Sequence, residues 1–263
     1  MMTARRTGWF ACAFVVCAIV VMTVSALDRI GPQRIDEWRM RALSTHDWLS
    51  MTKLRAASRA GNEAASFAIG SVLVAASDKN RVAEGIALLK IAAEDGDVRA
   101  QLQLGRVLLK GAPGIAPDYE LSRHWLTMAA ESLPMTHTFP DPEAPVSPAA
   151  YAAFHLASIY RNGYGVARND DEGLRWLTRA ANAGVPQAQF QLANTYRDGG
   201  LVPISDELAL LWLQRAAQAE LPEANLALAI AYRNGELGLP RNDAQYWSHI
   251  KETAHGYKHY AAQ

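Results

Sequence analysis

A few places in this 263-residue chain hold residue types able to do chemistry at a usable spacing. Ser50-Met51-Thr52-Lys53 puts a lysine three residues after a serine, so on a helix the amine could activate the hydroxyl as a nucleophile. The Ser-Asp-Asn and Lys-Thr-Gly motifs that complete such a centre are missing. His255 and His259 lie four apart, the spacing of two helix-borne zinc ligands. Gly256 stands between them, the last residue follows closely, and no third ligand is in register, so a solvated tail is the favoured reading. Cys12 and Cys17 are the only cysteines and both fall in the N-terminal leader. That leaves the rest of the chain no disulfide framework, no thiol nucleophile and no Cys-based zinc site. The residues therefore predict no catalytic group, no metal and no cofactor.

What repeats instead is a polar pattern, and it depends on the elements that position it. Ala152 to Glu220 writes one 36-residue pattern twice. From Ala152 it runs through Leu156, Ala157 and Tyr160-Arg161-Asn162-Gly163, then Asp170, then Trp176-Leu177 and Ala180-Ala181. From Ala188 it runs through Leu192, Ala193 and Tyr196-Arg197-Asp198-Gly199, then Asp206, Trp212-Leu213 and Ala216-Ala217. Apolar residues at offsets of three and four mark the buried stripe of a helix, so each copy is a helix, a loop and an antiparallel partner. Further copies begin at Ala65, Ala100 and Ala224. A period of this length built from helix pairs predicts an α-solenoid.

The run Tyr160-Arg161-Asn162-Gly163-Tyr164-Gly165-Val166, followed by Asp170 and Trp176-Leu177-Thr178-Arg179-Ala180-Ala181, resembles the Sel-one-like repeat, a relative of the tetratricopeptide repeat. The resemblance implies an all-α fold, a right-handed α-solenoid of five helix-loop-helix repeats. It also implies a role in protein interaction. Gly163 and Gly165 supply positive φ where the first helix must stop, and Asn169 with Glu172 reads as a capping box for the second. Two loops depart from the pattern, Ser77-Asp78-Lys79-Asn80 and Gly199-Gly200-Leu201-Val202-Pro203. Some relatives carry a cysteine pair in every repeat, and this chain does not.

Offsets three, six and nine from each starting alanine fall on roughly one face of the first helices. They read Gln103 and Arg106; His155, Ser158 and Arg161; Gln191, Asn194 and Arg197; and Arg233. If first helices line the concave surface, these residues form a candidate protein-binding groove. Arg161, Arg197 and Arg233 would then be a ladder able to meet carboxylates or a peptide backbone. The competing reading is that each arginine only covers a helix end and neutralises its carbonyl charge. Tyr160, Tyr196 and Tyr232 are expected to be largely buried. Trp125, Trp176, Trp212 and Trp247 are expected to share one packing position.

Charge is balanced at 26 basic and 26 acidic residues, so no electrostatic footprint for nucleic acid exists. Arg5 and Arg6 precede twenty uncharged residues, Gly8 to Leu27, long enough to span a bilayer's hydrocarbon core. Val24-Ser25-Ala26 is also a small-residue cleavage site, so residues 1–27 are a signal peptide or an N-terminal membrane anchor. The run exceeds the usual apolar length of a removed peptide, which favours the anchor. The repeats then face the bacterial periplasm from the inner membrane, or are soluble there after cleavage at Ala26. Any membrane contact is made through this segment alone.

Residues 28–61 read as a helical N-terminal cap of half a repeat. Repeats one and two occupy 62–132, and repeats three to five occupy 149–254. Between them, 133–148 is a proline-rich insertion loop, and 255–263 is a C-terminal tail. The function implied is an exported, membrane-tethered protein-protein interaction scaffold whose partner is a protein. The alternatives are an enzyme acting on cell-wall material or β-lactams, as some cysteine-rich relatives are, or a module that binds peptidoglycan or exported polysaccharide.

Overall fold

The computed structural model describes residues 27, 29–134, 140 and 144–261. Residues 1–26, on which the leader reading rests, lie outside that set. Among the described residues there are twelve helices and no strand. They are α1 (Pro32–Ser44), α2 (Trp48–Arg59), α3 (Glu63–Val74), α4 (Lys79–Glu94), α5 (Val98–Lys110), α6 (Tyr119–Glu131), α7 (Pro148–Asn162), α8 (Asp170–Asn182), α9 (Pro186–Asp198), α10 (Asp206–Gln218), α11 (Pro222–Asn234) and α12 (Asp243–Ala261). Among the described residues, no helix is long and apolar enough to cross a membrane. The chain divides into two compact units, 1–117 and 118–263, and the division falls in the loop between α5 and α6.

In the first unit α1 and α2 pack with α3, and α3 pairs with α4, which packs on α5. Its core gathers Ile35, Leu54, Ile69 and Leu73. Asp47, Asn62, Asp78 and Asp97 cap α2 to α5 by accepting backbone N–H groups of the first turn. Asn62 also donates from Nδ2 to the carbonyls of Leu27 at 3.3 Å and Ile30 at 3.1 Å, holding the entry to α1 against the α2–α3 turn.

In the second unit α6 packs on α7, and α7/α8, α9/α10 and α11/α12 form successive antiparallel pairs. Leu126, Leu156, Ile159, Leu177, Leu192 and Leu213 are fully buried along it. One backbone bond recurs in all three pairs. The carbonyl of the last tyrosine of the first helix accepts the N–H of the residue that caps the second: Tyr160 from Asn169 at 2.9 Å, Tyr196 from Ser205 at 3.0 Å, Tyr232 from Asn242 at 2.9 Å. Because this bond uses only main chain, it closes loops of different sequence alike. That is why the Gly199-Gly200-Leu201-Val202-Pro203 departure leaves the pair intact. The capping box forms by half. Asn169 accepts from Glu172 N–H at 2.9 Å, but the Glu172 carboxylate turns away to Arg175.

Tyr160, Tyr196 and Tyr232 are mostly covered, each keeping an exposed edge, in line with the expectation. Two expectations are corrected here. Trp125, Trp176 and Trp212 each stand seven residues after a capping residue, but in the last pair that position is His249. The loop before α12 is one residue longer and its tryptophan comes early, so Trp247 is 65% exposed while Trp125 is 4% and Trp212 6%. Finally, residues 255–261, read as a tail, continue α12. Gly256 permits this as a close-approach position, since a Cβ there would lie 2.8 Å from Pro222 Cγ. Part of the insertion is anchored: Leu133 accepts from Arg179 Nη2 at 2.6 Å, and Pro140 lies against the α8–α9 turn at Gly184.

Candidate functional site

The second unit opens a cleft of about 570 Å³ between the first helices of repeats three and four. α7 contributes Ser158, Arg161 and Asn162, and α9 contributes Gln191, Asn194, Thr195 and Asp198. Arg168 and Asp170, from the loop and the start of α8, and Gly199 and Leu201, from the loop after α9, complete the lining. Four of the residues singled out in the sequence, Ser158, Arg161, Gln191 and Asn194, therefore meet in one place. His155 is half-buried on α7 with its ring 5.9 Å from Phe154, outside the lining. Gln103, half-buried, and Arg106, exposed, belong to α5 in the first unit.

The three arginines of the ladder occupy three different situations, which go with the residue next to each arginine and with the residue four after each cap. In repeat three that residue is Gly173, and the Arg161 stem lies on it: a Cβ there would stand 2.5 Å from Arg161 Cγ. Laid down in this way, Arg161 is half-buried and donates from Nη1 to Gln191 Oε1 at 3.2 Å, bridging α7 to α9. In repeat four the position is Ala209, and Arg197 is exposed, donating to its neighbour Asp198 at 2.9 Å. In repeat five it is Tyr246, and Arg233 lies over that ring at 5.2 Å with a 3.4 Å bond to the hydroxyl. The ladder is thus one inward arginine and two that are occupied locally.

The cleft's other charges are paired. Arg168 grips Asp170 through Nε at 2.9 Å and Nη2 at 2.8 Å, and this hydrogen bonding holds the Asp170 carboxyl below the usual range. Arg197 does the same to Asp198. Thr195 and Asn162 spend their donors on the carbonyls of Gln191 and Ser158, each at 2.8 Å. Among the described residues, Arg161 makes no hydrogen-bonded ion pair with a carboxylate, though its charge helps hold the Asp170 carboxyl down. The cleft can offer guanidinium N–H groups and the Asn194 amide to an incoming polar chain. Sequence reasoning missed Arg168, Asp170, Thr195 and Asp198 as lining. It also passed over Gly173, although a lone glycine inside a helical pattern signals close approach.

The remaining chemical candidates resolve into local structure. Ser50 is 2% exposed and donates to the carboxylate of Asp47, the cap of α2. Lys53 instead holds its ammonium 5.5 Å from the centre of the Trp38 ring. The serine and lysine are therefore each engaged elsewhere. His255 is exposed on α12, and the side chain of His259 lies outside the described set. Among the described residues, no three His, Cys, Asp or Glu side chains gather to hold a metal.

Comparison with known proteins follows the repeat boundaries. A family model described as the Sel1 repeat matches residues 98–132, 150–185, 186–221 and 222–245. The α3/α4 pair, read as the first repeat, stands outside those matches. Among solved structures, a Sel1 repeat protein from Oxalobacter formigenes aligns at TM-score 0.69 and 21% identity, over 85% of this chain and 87% of that one. A protective antigen of uropathogenic Escherichia coli with an SLR fold aligns at TM-score 0.64 and 23% identity, over 78% of this chain. This chain spans 41% of that antigen's length. At these identities the likeness concerns the fold alone. No curated protein matches the chain.

Proposed function

The chain belongs to the Sel1 repeat family, and on that premise we propose that it is a protein-interaction scaffold receiving a partner polypeptide in the cleft between α7 and α9. Sel1 repeats point to protein partners in general. The observation that carries the placement is the convergence of Ser158, Arg161, Gln191 and Asn194 from two successive first helices on one polar cleft. Repeated helices present such surfaces without loop insertions, because each repeat sets the next at a fixed offset. Export and tethering belong to the same proposal. Their support is the leader: two arginines, then twenty uncharged residues.

A photo-crosslinking residue placed at Asn194 or at Ser158 in the full chain, expressed in its own cells, tests the cleft. The same partner polypeptide should be trapped from both positions and not from Arg175, exposed on α8. Equal trapping from Arg175, or adducts only with polysaccharide, would contradict the cleft reading. Mass spectrometry of the membrane fraction should find residues 8–27 still attached. A mature N-terminus at Leu27 in the soluble periplasm would contradict the tether.

A further inference from the structure

Resting on that cleft reading, we propose that Arg161 is the specificity-determining residue of the site and that what it recognises is a carboxylate of the partner polypeptide. The cleft is built around this guanidinium. Gly173 lacks the Cβ that would stand 2.5 Å from Arg161 Cγ, so the stem can cross the α7/α8 surface and carry the head toward α9. Gln191 Oε1 then fixes one Nη at 3.2 Å. A guanidinium held by a single neutral acceptor keeps its other N–H groups for a ligand, and their planar fork matches the two oxygens of a carboxylate.

Charge complementarity gives the sign. Of the cleft's ionic groups, Arg168 is neutralised by Asp170 at 2.8 Å, and Asp198 by Arg197 at 2.9 Å. Arg161 is left as the cleft cation that makes no hydrogen-bonded ion pair with a carboxylate among the described residues; Asp170, gripped by Arg168, feels its charge only through space. A basic ligand would meet only carboxylates already engaged. The equivalent arginines do not repeat the arrangement: Ala209 stands where Gly173 leaves space and Asp198 holds Arg197, while Arg233 lies on Tyr246. The partner's carboxylate can come from an aspartate or glutamate side chain or from a chain end, and the two sources share this chemistry.

The test is selection of peptides on the detergent-solubilised full chain from two random octapeptide pools, one with amidated ends and one with free carboxyl ends. The amidated pool should return sequences enriched in Asp and Glu if the carboxylate is a side chain. The free-ended pool should be preferred, without acidic enrichment, if it is a chain end. Either selectivity should fall at least tenfold in Arg161→Gln and in Gly173→Ala, and persist in Arg233→Gln, whose arginine lies on Tyr246 outside the cleft lining. Arg161→Gln guards against a misfolded glycine variant, and thermal melting of each variant reports the fold. Retained selectivity in Arg161→Gln, or a wild-type pool with neither acidic enrichment nor end preference, overturns the proposal. Asn194→Trp separates the two levels. A neutral pool that Asn194→Trp abolishes keeps the cleft and rejects the carboxylate, whereas a pool that survives Asn194→Trp rejects the cleft itself.

Discussion

Repeats three and four are nearly the same sentence written twice, yet only one of them turns its arginine inward. Leu156 and Leu192, Ala157 and Ala193, Tyr160 and Tyr196, Arg161 and Arg197, Trp176 and Trp212 all fall in register. Their loops close with the same tyrosine carbonyl bond at 2.9 and 3.0 Å. Among the positions where they differ, two small ones matter for the backbone and the arginine stem. Gly173 is replaced by Ala209, and Gly184 by Glu220. The first replacement removes the shelf on which an arginine stem can lie. The second puts a side chain into the left-handed region, with φ 57 at Glu220 against φ 88 at Gly184. A repeat array can therefore keep one framework while a glycine on the partner helix, and an asparagine in place of the aspartate that holds Arg197, change where a charge points.

If the framework is shared, Leu156→Ala and Leu192→Ala should cost nearly the same. Both side chains are fully buried, and each truncation should remove about 2–5 kcal/mol of stability. Chemical denaturation of the two variants checks this, and a cost at Leu192 below half that at Leu156 would break the equivalence. The inter-repeat turns should separate next. Glu220→Gly should stabilise by about 0.5–1 kcal/mol, because relief of the left-handed penalty outweighs the added chain entropy of glycine. Gly184→Ala should destabilise by about 1 kcal/mol for the converse reason. Thermal melts measured side by side would show opposite signs, and matching signs would contradict the turn account.

A smaller effect concerns the last pair, where His249 takes the position that tryptophan holds in repeats three and four. Its Nδ1 lies 2.9 Å from Asn225 Oδ1, and its ring stacks on Tyr232 at 5.7 Å. Burial pushes the imidazole pKa down from 6.5, opposed by Glu252. The depressed folded value makes the unfolded chain bind the proton more readily. The contribution is therefore present above the ordinary histidine pKa and is lost as pH falls through the folded one. The proton resonances of His249 should titrate below the ordinary histidine value, and His249→Gln should flatten the fall in stability on acidification. A titration at or above the ordinary value would contradict the packing role.

The framework could be read from the sequence because it is written in short-range terms. Leucine and alanine at helical offsets, Asn169 before a polar turn and glycine after Asn162 each act within a few residues of themselves. The arginine directions could not be read in that way. What decides Arg161 is Gly173 on the partner helix, and the first-helix pattern gives no sign of it. Matching Trp247 to the other tryptophans failed for a related reason. One extra residue in the loop before α12 shifts the register, and a count from the capping residue, not from the repeat start, brings His249 to the place. Gly256 counted toward a solvated tail, because its use, contact with Pro222 from another element, is not visible locally. Asp170, Arg168 and Asp198 went unnoticed because they enter the cleft from loops and helix ends, outside the face that the offsets select.

The central claim is that Arg161 alone among the three arginines is placed for recognition. Its most direct test is partner capture by the full chain in parallel with Arg161→Gln, Arg197→Gln and Arg233→Gln. Each substitution should change stability by well under 1 kcal/mol, as exposed or half-exposed charges generally do, so folding does not confound the comparison. The account predicts that Arg161→Gln loses the partner, that Arg233→Gln retains it, and that Arg197→Gln, which leaves Asp198 unpaired in the cleft, weakens capture less than Arg161→Gln does. Equal loss from all three, or full retention by Arg161→Gln, would contradict it.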